Sequence, residues 1–267
     1  KTDGVVLFSD ILTPLPAMGV DFDISEGGGI TIAPIRTRDA FERMKSAPPF
    51  APEKDIPFVG SVLTRLREEL ADTDAAVLGF VGLPFTLASY VVEGATGTKT
   101  GFAEFRALRA NDPTLAEDIL SLLADKIAQY AIYQIDSGAH VVQVFDSWAG
   151  HLEPDEFDKW AAPYQRRVVS AIKTARPEVP VIIYMAPDKY SRNGALIERL
   201  AATGVDVVSL DHTVDIGEAR ARLDAAGYDK VGIQGHLDLE VLRDSSPDEI
   251  IAATNSIIST VSIRGHV

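Results

Sequence analysis

The sequence predicts an α/β fold arranged as a single (β/α)8 TIM barrel, because three features are typical of a parallel sheet covered by helices. Short apolar runs alternate with longer stretches of helical periodicity along the chain. The apolar runs are continuous rather than alternating, as in strands that are buried on both faces. Neither GxGxxG nor GxxxxGK(S/T) occurs, so no nucleotide-binding motif supports the alternative, an open doubly wound sheet.

The predicted strands comprise the apolar runs and one hairpin. Three consecutive glycines, Gly27, Gly28 and Gly29, separate the apolar triplets 22–24 and 30–32 and predict a small hairpin. The runs expected to form parallel strands are residues 5–9, 76–81, 140–145, 179–185, 205–210 and 231–234. A parallel barrel brings the carboxyl ends of such strands to one face, where catalytic groups lie.

The predicted helices connect these strands. The longest covers residues 113–137, where Leu120, Leu123 and Ile127 belong to an apolar series at helical spacing. The other predicted helices cover residues 38–45, 59–70, 153–176, 194–204, 217–226 and 247–260. No linker or change in composition divides the chain, so residues 1–267 are predicted to form one barrel domain.

Composition excludes several classes of function. The formal charge of −14 is unfavourable for binding nucleic acid or an anionic membrane. No apolar run reaches the ~18–20 residues that span a bilayer. The chain has no cysteine, which excludes a disulfide framework, a thiolate zinc site and a cysteine nucleophile.

Polar residues follow several predicted strands. Asp10 follows the first run, and Ser147 comes soon after the run that ends at residue 145. Asp211 and Asp238 follow later runs in the same way. Because Asp and Ser after a strand are also favoured helix caps, position alone leaves a catalytic and a structural interpretation open.

Five ordered segments give a more specific signal. They are FSDIL at residues 8–12, FVGLPFTLASYVVEG at 80–94, VFDSWAGHL at 144–152, TGVDVVSLD at 203–211 and VGIQG at 231–235. Together they resemble the uroporphyrinogen decarboxylase family, and their sequences are most similar to its cyanobacterial and plastid branch. The resemblance runs in order from Asp3 to about Ser262.

The resemblance implies a cofactor-independent carboxy-lyase that uses no metal. Such an enzyme removes CO2 from the four acetate side chains of uroporphyrinogen III, giving coproporphyrinogen III in haem and chlorophyll biosynthesis. The resemblance also implies a homodimer. We expect a cytoplasmic enzyme if the source is bacterial, and an enzyme of the plastid stroma if it is a plant or alga.

Three residues match positions to which the family assigns roles. The family's essential aspartate matches Asp10, which would accept hydrogen bonds from the pyrrole NH groups and stabilise a cationic ring. Its substrate-binding tyrosine and serine match Tyr90 and Ser147, which would bind peripheral carboxylates. The structural interpretations are a core aromatic for Tyr90 and a helix cap for Ser147.

Two family motifs are absent. The arginine-rich segment Arg-x-Ala-Gly-Arg and the late Asn-Leu-Gly-His-Gly do not occur, and His266 resembles the segment that precedes the latter. We therefore expect a barrel truncated at both ends that binds its polycarboxylate substrate weakly, and a full-length gene product that supplies both motifs.

Two alternative functions remain open. The first is a zinc- and corrinoid-dependent methyltransferase of the same barrel superfamily, for which His151, His212 and His236 at strand ends are candidate ligands. The missing cysteines argue against it, as does the absence of closely spaced histidines, so we predict no metal site. The second is a tetrapyrrole-binding homologue that has lost catalysis.

Overall fold

The computed structural model describes residues 3–24, 30–96 and 101–261. In these residues, a six-stranded sheet contains only parallel neighbours, and two further strands form an antiparallel hairpin. The strands are β1 Gly4–Val6, β2 Phe22–Ile24, β3 Ile30–Ile32, β4 Ala76–Gly82, β5 Val141–Phe145, β6 Val181–Tyr184, β7 Val207–Ser209 and β8 Gly232–Gln234. The β2–β3 hairpin has the predicted bounds, whereas its three glycines lie outside the described residues.

The strand order decides between the two predicted architectures. Leaving out the hairpin, the order in the sheet is β1-β4-β5-β6-β7-β8, the same as the order along the chain. A doubly wound sheet reverses its strand order near the middle, which this sheet does not do. In the described residues β1 pairs with β4 and β8 with β7, so the barrel-type sheet remains open between these two edges.

Helices follow most strands and cover one face of the sheet. They are α1 Arg38–Lys45, α2 Pro52–Asp55, α3 Pro57–Glu69, α4 Pro84–Glu93, α5 Ala103–Asn111, α6 Pro113–Asp136, α7 Pro154–Trp160, α8 Ala162–Ala175, α9 Ile197–Ala201, α10 Ile216–Ala225, α11 Leu239–Asp244 and α12 Pro247–Val261. Several begin with a proline, whose missing N–H is unneeded at that position. Among the described helices, none is long and apolar enough to cross a membrane.

Two helix predictions were wrong in their extent. Residues 153–176 form α7 and α8 rather than one helix, with a break at Ala161. Pro163, in the first turn of α8, lacks the N–H that a continuous helix would need, and its ring would clash with the preceding turn. The helix predicted at residues 194–204 shortens to α9, which follows a 3-10 helix at Arg192–Gly194.

The two faces of the sheet differ in what covers them. Gly79 faces α6, because a Cβ at this position would collide with Gln134 Oε1. Side chains on this outer face, such as Val142 and Ile183, belong to the main core shared with the helices. Leu78 points the other way and packs against a separate inner cluster of Val141, Ile182 and Val207. The inner face above this cluster remains available to a ligand.

Candidate active site

A row of aromatic rings crosses the inner face of the sheet near the carboxyl ends of its strands. Phe8 lies 5.6 Å from Phe80, Phe80 lies 5.5 Å from Phe145, and Phe145 lies 5.7 Å from Tyr184, measured between ring centroids. Phe8 is 81% exposed, an unusual state for a phenylalanine at the edge of a core. The row offers a continuous apolar surface to a large planar or domed ligand.

A cavity of about 290 Å³ opens over this row. Its lining is largely apolar and comprises Val6, Phe8, Ile11, Leu78, Gly79, Phe80, Gln143, Phe145 and Ser147. An apolar cavity with a few polar groups is the usual form of a small-molecule site. Its position at the carboxyl ends of parallel strands matches the location of active sites in barrels.

Asp10 lies beside this cavity in the loop after β1. The predicted strand at residues 5–9 ends at Val6, so Asp10 belongs to a turn and not to the strand end itself. Its Oδ1 accepts a hydrogen bond from the backbone N–H of Leu12 at 2.9 Å. Ile11, the next residue in the chain, and Phe8, two residues before Asp10, line the cavity. The carboxylate is exposed, and so it is accessible to a ligand.

Tyr90 lies on α4 and is partly buried, with its ring against the main core. Its ring meets Trp148 edge to face, with centroids 6.2 Å apart. Burial raises the pKa of the Tyr90 hydroxyl, and the negative charge of Asp10 raises it further. Asp10 and Tyr90 are therefore electrostatic neighbours, and Tyr90 keeps its proton as a hydrogen-bond donor.

Ser147 begins a 3-10 helix, Ser147–His151, one residue after β5, and it lines the cavity. Asp146, and not Ser147, is the N-cap residue of this helix. Within the described residues, the Ser147 hydroxyl forms no hydrogen bond and is free to bind a ligand group. The structure thus places Asp10, Tyr90 and Ser147 around one end of the sheet.

Asp146, between β5 and this 3-10 helix, is a buried carboxylate to which the sequence analysis assigned no role, although it follows a predicted strand. Its Oδ1 accepts hydrogen bonds from the backbone N–H and the hydroxyl of Thr86, each at 2.8 Å, and Oδ2 accepts from Gln165 Nε2 at 2.8 Å. Burial raises the pKa of Asp146 from 3.8 to about 6, although the bonds from Gln165 and Thr86 oppose that shift. Thr86 and Gln165 are distant from Asp146 in sequence, which is why no local pattern indicated these hydrogen bonds.

Stability should fall with rising pH because of Asp146. Its folded-state pKa lies above the unfolded value of 3.8, so the folded protein binds more protons between pH 3.8 and about 6. Relative to Asp146→Asn, the wild type should lose on the order of 3 kcal/mol of unfolding free energy across this interval. Urea unfolding at several pH values measures this difference.

The control is Asp74→Asn, which alters an exposed acid at the opposite end of the sheet. In this variant, the unfolding free energy should depend on pH as it does in the wild type. An Asp146→Asn protein with the same pH slope as the wild type would contradict the assignment.

Two of the three histidines considered as zinc ligands contact other groups of the protein. His151 Nδ1 is 3.2 Å from Asp188 Oδ1, and His236 Nε2 is 2.6 Å from the backbone oxygen of Val214. His212 is exposed. Across residues 3–24, 30–96 and 101–261, no group of three or more His, Cys, Asp or Glu side chains is arranged to hold a metal ion.

Comparison with known proteins identifies a family over the full length of this chain. The family model described as "Uroporphyrinogen decarboxylase (URO-D)" matches residues 1–267. A relative named "Uroporphyrinogen decarboxylase" from Parasynechococcus marenigrum (strain WH8102) is 47% identical over 268 residues, covering 100% of this chain and 72% of the relative. One of the same name from Prochlorococcus marinus (strain MIT 9303) is 49% identical over 268 residues.

Two solved structures resemble the fold. A "methyltransferase from Methanosarcina mazei" superposes with a TM-score of 0.76 at 16% identity, covering 99% of this chain and 73% of its own. A B12-independent methionine synthase from Shewanella sp. W3-18-1 gives a TM-score of 0.53 at 11% identity, covering 78% of this chain and 57% of its own. At these identities the likeness concerns the fold alone, and it agrees with the barrel assignment.

Proposed function

Because the chain belongs to the uroporphyrinogen decarboxylase family, we propose that it removes CO2 from the four acetate side chains of uroporphyrinogen III to give coproporphyrinogen III. One observation of the site carries this proposal. An exposed carboxylate, Asp10, lies beside an apolar cavity whose floor is a row of aromatic rings. That pairing fits a ligand with a large hydrocarbon framework and inward-facing N–H groups.

The chemistry requires an acceptor for the electrons of the bond that breaks. Protonation makes a pyrrole ring cationic, and the ring then takes up the C–C bonding pair as CO2 leaves. A second proton converts the remaining methylene group into a methyl group, and the ring regains its neutral form by losing the first. The protein must therefore stabilise a transient positive charge. A carboxylate does so strongly where a bound ligand displaces water from around it.

Asp10, Tyr90 and Ser147 have different roles in this reaction. Asp10 accepts hydrogen bonds from the pyrrole N–H groups and stabilises the cationic ring. Tyr90 and Ser147 donate to peripheral carboxylates and so select which acetate approaches the reactive position. The aromatic row contacts one face of the macrocycle. None of these roles needs a metal or an organic cofactor.

The test is an anaerobic assay of the full-length gene product with uroporphyrinogen III, with products separated by chromatography. Release of CO2 and accumulation of coproporphyrinogen III support the proposal. Stoichiometric zinc together with methyl transfer would overturn it in favour of a methyltransferase. Tetrapyrrole binding without turnover would instead identify a non-catalytic homologue.

Tyr90→Phe should weaken substrate binding with little effect on the fold. The change removes one hydroxyl and keeps the ring that contacts Trp148. Loss of one hydrogen bond to a charged group predicts a rise in KM of about tenfold. Steady-state kinetics measure this. Tyr133→Phe, on the outer side of α6, is the control and should keep the wild-type KM. An unchanged KM in Tyr90→Phe would remove Tyr90 from the binding site.

We also propose an oligomeric state and a cellular location for the protein. We expect a homodimer, which sedimentation velocity tests, and no binding of nucleic acid or membrane, in keeping with the charge of −14. The relatives named above are bacterial, and we expect a cytoplasmic location.

A further inference from the structure

Asp146 connects three elements around the site, because its hydrogen bonds join the end of β5 to α4 and α8. Asp146 is fully buried and follows β5 directly. Its Oδ1 accepts hydrogen bonds from the backbone N–H and the hydroxyl of Thr86 on α4, and its Oδ2 accepts one from Gln165 Nε2 on α8. No residue of β5 or of the 3-10 helix that follows has more side-chain hydrogen bonds in the described structure.

Thr86 also hydrogen-bonds the turn that contains Ser147. Its hydroxyl donates to Asp146 Oδ1 at 2.8 Å and accepts from the backbone N–H of Trp148 at 3.1 Å. A hydroxyl has one donor and free acceptor capacity, so both bonds form at once. Ser147 lies between the two residues that Thr86 holds.

The same contacts fix the beginning of α4. The residue before this helix, Leu83, provides no side-chain cap, and the Thr86 N–H of the first turn bonds Asp146 instead. A negative charge at this end of a helix is favourable. Tyr90 lies about one helical turn after Thr86 on the same face of α4. One carboxylate thus holds both the helix with Tyr90 and the turn with Ser147.

We propose that Asp146 and Thr86 are positioning residues, which set the Ser147 hydroxyl relative to Tyr90 so that both meet the side-chain carboxylates of one substrate. This inference rests on the proposed function. Asp146 is out of reach of a ligand, so it acts through other residues and not by contact. The bond from the Thr86 N–H to Asp146 does not need the Thr86 hydroxyl, which bonds the two neighbours of Ser147. The contribution of this hydroxyl should therefore vanish when the Ser147 hydroxyl is absent.

A double-mutant cycle tests this dependence. Thr86→Val removes the bridging hydroxyl at nearly constant volume, and we expect KM to rise about tenfold, as for the loss of one hydrogen bond. In the Ser147→Ala background, the same change should raise KM less than about twofold. Thr86→Ser restores the hydroxyl and should return KM to near the wild-type value. Equal effects of Thr86→Val in both backgrounds would overturn the proposal.

A second readout does not depend on turnover. The chain contains two tryptophans, so in a Trp160→Phe background Trp148 alone reports on the turn. We expect Thr86→Val, and not Thr86→Ser, to increase acrylamide quenching of Trp148 at unchanged far-ultraviolet circular dichroism. Identical quenching in both variants would overturn the positioning role. If the wild type lacks decarboxylation, the proposed function fails, whereas this measurement still decides whether Thr86 holds the turn.

Discussion

Asp10→Asn is expected to lower the decarboxylation rate about a hundredfold, which corresponds to the loss of one charge-assisted contact of about 3 kcal/mol. The substitution keeps the size of the side chain and removes its charge. The asparagine oxygen can still accept the hydrogen bond from the Leu12 N–H, so the turn after β1 should persist. The effect should therefore fall on kcat, since the charge stabilises the cationic ring most strongly as CO2 leaves.

The control for Asp10→Asn is Asp74→Asn. It changes the net charge by the same amount at an exposed site before β4, at the far end of the sheet. Anaerobic single-turnover assays of both variants in the full-length gene product separate a local from a global charge effect. Equal rates for Asp10→Asn and wild type would remove Asp10 from the mechanism.

Phe8→Ala should lower kcat/KM about thirtyfold with almost no loss of stability. A stacked aromatic side chain contributes about 1–3 kcal/mol to binding of a planar ring. Phe8 is 81% exposed, so its removal leaves little cavity in the fold. The ring continues the row through Phe80 and lines the cavity beside Asp10. Phe8→Ala should therefore impair function and leave the packing of the folded protein nearly unchanged.

Phe58→Ala on α3 is the matched control, because Phe58 is 58% exposed on the outer layer. Thermal unfolding and steady-state kinetics should show both variants near wild-type stability, with only Phe8→Ala impaired in turnover. A large loss of stability in Phe8→Ala, or equal activity of the two variants, would contradict the role of the aromatic row.

The sequence predicted the sheet well for a physical reason. Continuous apolar runs marked the strands because their outer side chains pack against the helices, while apolar side chains also line the cavity on the inner face. The structure confirmed the parallel arrangement. It did not predict α4 as a helix. Nearly every side chain of α4 is buried, from Pro84 through Val92 with Tyr90 as the partly exposed exception, so no polar stripe revealed its period.

The site was predictable in part. Asp10, Tyr90 and Ser147 came from the resemblance to a family, since local patterns also fitted helix caps and core aromatics. The aromatic row could have been noticed as rings near the ends of successive strands, although its continuity depends on the register that aligns Phe145 with Tyr184. The link from Asp146 to Thr86 joins residues 60 apart in sequence, and only tertiary structure brings them together.

The position of a bound tetrapyrrole is the most direct test of this account. A crystal structure of the full-length gene product with coproporphyrinogen, kept reduced, should show the macrocycle over Phe8, Phe80 and Phe145. Pyrrole nitrogens should lie within about 2.7–3.2 Å of the Asp10 carboxylate. A tetrapyrrole bound elsewhere on the protein, or one whose nitrogens face away from Asp10, would contradict the proposed mechanism.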